Sequence, residues 1–151
     1  MEVSITTSKK LLDMLNEGIT QELHVSMKYM WQHIMVKGIE GAVVEKLFRD
    51  IAITEMKHAE ALSERVAVLN GVPPNKFDAV HVGMILEEML KEDVQTEEEA
   101  ISLYKQAIQV ASKEGDFTTR RLLEDILNDE EKHLDTFSKL LVGMTSPFTQ
   151  P

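Results

Sequence analysis

Two short segments of the chain carry the same pair of side chains that bind metals well, Glu55-x-x-His58 and Glu130-x-x-His133. On a helix, residues three apart differ by about 60° in azimuth and roughly 4.5 Å in rise, so a Glu and a His so placed can reach one ion. A single Glu-x-x-His is a weak signal, since ion pairing on an acidic helix produces it too. Here it occurs twice, and each copy is preceded at the same interval by a lone glutamate: Glu22 stands as far before Glu55 as Glu97 stands before Glu130. One constant shift along the chain maps Glu22 onto Glu97, Glu55 onto Glu130 and His58 onto His133. That repeat implies two similar halves about a pseudo-two-fold axis. The total is four carboxylates and two imidazoles for two cations, with the Glu–His pairs giving one set per ion and Glu22 and Glu97 free to bridge or chelate. Oxygen and imidazole ligands without thiolate suit iron or manganese, with zinc a frequent substitute.

These residues must be brought together by helices, and four segments show helical periodicity. The first runs from about Ser8 to Lys37 and breaks at Gly38-Ile39-Glu40-Gly41. The second runs from about Ala42 to Asn70 and stops at Asn70-Gly71-Val72-Pro73-Pro74. The third runs from about Val82 to Lys113, with a turn at Gly115-Asp116, and the fourth from about Phe117 to Leu141. Each has an apolar stripe interrupted by charge: Leu15, Ile19, Glu22 and Tyr29; Phe48, Ile51, Glu55, His58 and Leu62; Leu90, Val94, Glu97, Ile101, Tyr104 and Ile108; Leu123, Ile126, Glu130, His133 and Phe137. Spacings of three, four and seven put these members on one face. A buried ionised carboxylate is costly unless paired or metal-bound, and no Lys or Arg on these stripes offers a partner. The connections within the first and last pairs of segments are short, and the middle one is long. The expected architecture is therefore all-α, a four-helix bundle of two antiparallel hairpins joined by a long crossover.

Composition agrees. The 151 residues are 43% hydrophobic, enough for one sizeable core. A single domain spanning 1–151 is expected, with 143–151 as a short irregular tail. The net charge of −10 argues against nucleic-acid binding, which needs clustered Lys and Arg. The absence of cysteine excludes disulfides, thiolate catalysis and cysteine-ligated clusters. Residues 1–10 lack the apolar core of a signal peptide, and no apolar run approaches the roughly 20 residues of a membrane span, so a cytoplasmic protein without membrane partners is expected.

At the stretch from Asn16 through Glu22 to Tyr29, at Glu55-Met56-Lys57-His58-Ala59, at Leu86-Glu87-Glu88-Met89-Leu90 leading to Glu97, and at Asp129-Glu130-Glu131-Lys132-His133, the chain resembles the bacterioferritins of the ferritin-like superfamily. The likeness covers nearly the whole chain. It implies a di-iron centre on Glu22, Glu55, His58, Glu97, Glu130 and His133, the six residues already isolated by spacing. It also implies a ferroxidase that oxidises Fe(II) with dioxygen or peroxide and stores the ferric product. Tyr29 matches a tyrosine near the iron in that family, although a core aromatic would look the same.

Met56 matches the methionine that binds haem b between two subunits of the family. It lies about 100° round the helix from Glu55, on a stripe with Ala52, Ala59 and Ser63. Leu23, Met27, Met30 and Ile34 form a second apolar stripe on the first helix, and an apolar stripe outside the core needs a partner. A homo-oligomer, at least a two-fold dimer, is expected. The tail after Gly143 is too short and proline-broken for the fifth helix of the family's cage, which leaves a cage of about two dozen subunits open. The interior iron site of some relatives would fall on Asp50 and Thr54, and Thr54 is a poor ligand, so that site is not expected here. His24, His33 and His81 are read as structural or exposed. A rubrerythrin-like peroxidase is the main alternative, opposed by Ala100 where that group has a further glutamate. A non-catalytic metal-binding storage protein is another.

Overall fold

The computed structural model describes residues 6–145. They form four helices, α1 (Lys9–Met35), α2 (Gly38–Val68), α3 (Leu86–Glu114) and α4 (Phe117–Thr145), and no strand is present among the described residues. The expected all-α bundle is what the chain forms, with boundaries that differ in instructive ways.

The first turn is tighter than the glycines suggest. Gly38 already opens α2, leaving Val36 and Lys37 between the helices. Gly38 takes φ +72°, which reverses the chain, and a Cβ on Gly41 would sit 2.9 Å from the Val36 carbonyl carbon. Both glycines therefore serve a short turn at Val36 and Lys37 instead of a break running from Gly38 to Gly41. α3 starts at Leu86, later than the expected Val82, and α4 continues past Leu141 through Gly143 to Thr145. The irregular tail expected over 143–151 is thus helical as far as Thr145, and the rest of it lies outside the described residues.

The helix ends are chemically specified. The Ser8 hydroxyl accepts from Leu11 N at 3.1 Å and caps α1. α2 ends with Asn70 at φ 62° and bonds from Gly71 N to Val66 O (2.8 Å) and from Asn70 N to Ala67 O (3.0 Å), the pattern of a left-handed C-terminal cap. Gly115 ends α3 the same way at φ 74°. Asp116 then caps α4 by accepting from Thr119 N at 3.0 Å. Arg65 near the end of α2 donates to Asp116 at 2.9 Å and to Thr119 at 2.7 Å, which pins the α3–α4 turn to the first hairpin.

The two hairpins pack so that α1 faces α3 and α2 faces α4. Residue pairings give the directions. Tyr29 meets Glu97 and Tyr104 meets Glu22, so α1 and α3 are antiparallel. His133 meets Glu55 and Arg65 meets Thr119, so α2 and α4 are antiparallel as well. The long segment from Leu69 to Ile85 crosses the bundle between α2 and α3, tied to α1 where Asn16 Nδ2 donates to Val72 O at 3.1 Å.

The core is split in two along the bundle axis. One apolar cluster holds Leu11, Leu15, Ile19, Leu62, Tyr104 and Leu123 among others. The second holds Tyr29, Val44, Phe48, Ile51, Leu90 and Phe137, with the Tyr29 and Phe137 rings 5.4 Å apart. On every helix the ionisable residues singled out by spacing fall between the residues of one cluster and those of the other.

Candidate metal centre

Glu22 comes from α1, Glu55 and His58 from α2, Glu97 from α3, and Glu130 and His133 from α4. All six are buried, none more than 9% exposed. They form two overlapping groups, Glu22–Glu55–His58–Glu130 and Glu55–Glu97–Glu130–His133; within each group the facing atoms lie within 4.8 Å of one another. Glu55 and Glu130 belong to both groups. Spacing leaves Glu22 and Glu97 to bridge or chelate, but neither of them is common to the two groups. Here the glutamates of the two Glu-x-x-His motifs sit in the shared position, and Glu22 and Glu97 each sit at one end.

Spacing alone could not give this, because it depends on which helices face each other. His58 Nδ1 is 2.9 Å from Glu55 and 3.0 Å from Glu130 on the facing helix. His133 Nδ1 is 2.9 Å from Glu55 of α2 and 4.0 Å from its own Glu130. The imidazole rings lie 6.4 Å apart.

These close approaches lack hydrogen-bond geometry. Glu55 Oε1 and Oε2, His58 Nδ1, Glu97 Oε2, Glu130 Oε1 and His133 Nδ1 are buried without a hydrogen-bond partner. Such orphaned groups cost about 1–3 kcal/mol each, and a native interior carries only a few, each of which calls for an explanation. Concentrated in one layer and converging on common points, they fit the donor set of a pair of divalent cations.

The electrostatics point the same way. Burial pushes the Glu22 carboxyl up to about 7, and burial with the neighbouring Glu22 charge does the same to Glu130. Burial also raises Glu55 and Glu97. Burial pulls the His58 imidazole down, but Glu130, Glu22 and Glu55 around it outweigh this and push it up overall. Without a cation the layer must therefore keep protons that water would remove from ordinary carboxylates.

Outer partners hold the six in place. Tyr29 donates to Glu97 at 2.5 Å, and Tyr104 donates to Glu22. Burial and the nearby carboxylates keep both phenols protonated. Sequence reasoning missed Tyr104 as a site residue, although the shift that carries Glu22 onto Glu97 also carries Tyr29 onto Tyr104. His58 Nε2 is 3.1 Å from Asp129 Oδ2, the outer acceptor that a ligand histidine calls for.

Also missed was a buried polar cluster one turn from Glu97. Asp93 is fully buried, accepts from Gln32 Nε2 at 2.8 Å, and lies 3.3 Å from Lys28 Nζ. Its position one helical turn before Glu97 was the available signal. A buried basic residue thus does lie near the layer, but Lys28 is committed to Asp93.

A pocket of about 210 Å³ reaches the layer from the surface, lined at its inner end by Glu22, Glu97 and Glu130 and elsewhere by His24, Asp78 and Thr96. His33 lies away from the site, with Nδ1 2.7 Å from Glu45 O, and His81 sits 3.3 Å from Glu92. Met56 lies outside the six-residue layer and is 48% exposed. Ala52 and Ala59, grouped with it by spacing, are buried in the bundle, on the sides of α2 that meet its neighbours. The second stripe on α1 divides: Met27 and Ile34 are about half exposed, as is the neighbouring Trp31, whereas Leu23 and Met30 pack against the apolar clusters.

Residues 12–145 match the family model of the ferritin-like domain. The chain is similar to the bacterioferritin of Desulfovibrio desulfuricans, 31% identical over 132 residues, covering 87% of this chain and 74% of that one. It is also 34% identical over 128 residues to the bacterioferritin of Streptomyces coelicolor, covering 83% and 76%. Among solved structures, a mycobacterial bacterioferritin superposes with a TM-score of 0.87 at 30% identity, over 93% of this chain and 88% of that one. Taken with the doubled Glu–His layer between paired hairpins, these matches make the chain a member of the bacterioferritins, within the ferritin-like family.

Proposed function

We propose that this protein is a di-iron ferroxidase of the iron-storage kind, with Glu22, Glu55, His58, Glu97, Glu130 and His133 holding two iron ions. The observation that carries this reading is the layer of converging buried nitrogen and oxygen atoms without partners, set between two apolar clusters. Two Fe(II) ions held there supply two electrons, which dioxygen or peroxide accepts.

The chain's own contribution follows from its geometry. Four carboxylates balance the charge of two divalent ions. Glu55 and Glu130, common to both groups, keep the two positions close. Glu22 and Glu97 serve one position each, and the phenols of Tyr104 and Tyr29 fix the carboxylates by donating to them. The apolar clusters on either side exclude water, so the charge interactions act in a medium of low dielectric. Protons held on the raised carboxylates leave as the cations arrive. The pocket between α1 and α3 offers a route for Fe(II), with Asp78 and Glu99 along it to attract a cation.

Storage requires assembly, and exposed Met27, Trp31, Ile34 and Met56 provide apolar surface for a second copy of the chain. Haem b on Met56 at such a two-fold contact belongs to the same proposal. Haem-reconstituted protein should then show a Soret band that Met56→Ala loses.

Stopped-flow oxidation tests the central assignment. Glu55→Ala and His133→Ala should each abolish rapid Fe(II) oxidation while leaving the helical circular dichroism largely intact. Wild-type kinetics in both variants would overturn it.

A further inference from the structure

We propose that the two metal positions are unequal, that the one bounded by His58 binds a divalent cation more tightly than the one bounded by His133, and that Asp129 is the positioning residue responsible. This rests on the reading that the six residues hold two ions.

The ligands and their tyrosines match between the two positions. Each has a terminal glutamate steadied by a tyrosine from the facing helix, Glu22 by Tyr104 and Glu97 by Tyr29. Each shares Glu55 and Glu130 and has one inward-facing imidazole Nδ1. The outer imidazole nitrogens do not match. His58 Nε2 meets Asp129 Oδ2 at 3.1 Å. The other Asp129 oxygen lies 3.6 Å from Lys132, which leaves Oδ2 to the histidine.

The shift along the chain that relates the two halves carries Thr54 onto Asp129. Thr54 cannot play the same part. It has no carboxylate, and its hydroxyl donates to Asp50 O on its own helix at 3.2 Å. Among the described residues, no side chain or carbonyl makes a hydrogen bond with His133 Nε2. A carboxylate on the far nitrogen fixes the tautomer and the ring angle and raises the basicity of the nitrogen facing the metal. Losing such a partner typically weakens metal binding by about 10–100-fold. One half of the repeat has a carboxylate on this nitrogen and the other does not.

Anaerobic titration of the metal-free, full-length protein with Co(II), followed by ligand-field absorption and calorimetry, reads the two positions directly. Two steps separated by at least about 10-fold in affinity are expected, with His133→Ala deleting the weaker one. Asp129→Asn should weaken the tighter step by about 10–100-fold and bring the two together. Thr54→Asp should tighten the weaker step, identified as the one that His133→Ala deletes. Circular dichroism of the metal-free variants checks that the bundle persists; if Asp129→Asn fails to fold, Thr54→Asp decides, and an unchanged weaker step overturns the proposal. Two equal steps in the wild type, or steps indifferent to Asp129→Asn in a folded protein, would overturn it while leaving the two-ion reading intact. Failure to bind Co(II) at all would overturn that reading and this proposal with it.

Discussion

The two apolar clusters and the polar layer between them are equally buried but obey opposite rules. Phe48, Leu62, Leu123 and Phe137 are fully enclosed and stabilise the bundle by leaving water. Glu22, Glu55, Glu97 and Glu130 are just as enclosed, yet their burial opposes folding until something neutralises them. The bundle thus carries a destabilising belt at its middle and has two flanking cores large enough to hold it together. A chain selected for stability alone would fill the belt with leucine, since apolar replacement of buried charge is often neutral or stabilising.

The largest effect that could break this comparison comes from truncation on either side of the boundary. Phe48→Ala or Leu62→Ala should destabilise the protein by about 3–5 kcal/mol, with or without metal, read by urea denaturation. Glu130→Gln should do the reverse in metal-free protein at pH 8, leaving stability equal or higher, because an amide needs no counter-charge. The same variant should lose the stabilisation that metal gives the wild type. If Glu130→Gln destabilised the metal-free protein as much as the core truncations do, the layer would be ordinary structure.

A smaller effect is the pH dependence. The Glu22 and Glu130 carboxyls are raised from an ordinary value of 4.5 to about 7. The folded metal-free protein therefore binds more protons than the unfolded chain between those limits, and its stability from these groups is present at low pH and lost as pH rises through 7. His58, raised from 6.5, adds a loss of the same sign as pH rises above that value. The Tm of metal-free protein should fall between pH 5.5 and pH 8 by at least roughly 3 °C, the shift that about 1 kcal/mol gives a chain of this size. With two ions bound this fall should disappear or reverse, since metal competes with the protons. Calorimetry that found the same slope in both forms would contradict the assignment of the raised groups to the metal layer.

How much of this is legible in the sequence follows from the same contrast. Apolar stripes at helical spacing announce a bundle, and a carboxylate on such a stripe stands out as a misfit. The internal repeat turns four misfits and two histidines into one site. What stays hidden depends on contacts between helices. The shared place of Glu55 and Glu130 in both groups requires knowing that α2 faces α4. Asp93 escapes notice because its partners, Lys28 and Gln32, come from another helix. Tyr104 obeys the repeat but reads as apolar filling, because its hydroxyl finds Glu22 only after α1 and α3 pair. Ala52 and Ala59 share a stripe with Met56 by spacing, and only the packing of α2 against its neighbours separates their burial from its exposure. The early start of α2 turns on a backbone angle at Gly38 that composition does not reveal.

The most direct test is a count of bound ions. Metal-free protein equilibrated anaerobically with Fe(II), freed of excess by rapid gel filtration and assayed for iron, should retain two ions per chain. Glu55→Ala, which removes the carboxylate common to both groups, should retain fewer than one at the same concentration. A wild-type chain that retains none, or a Glu55→Ala chain that still holds two, would contradict the account.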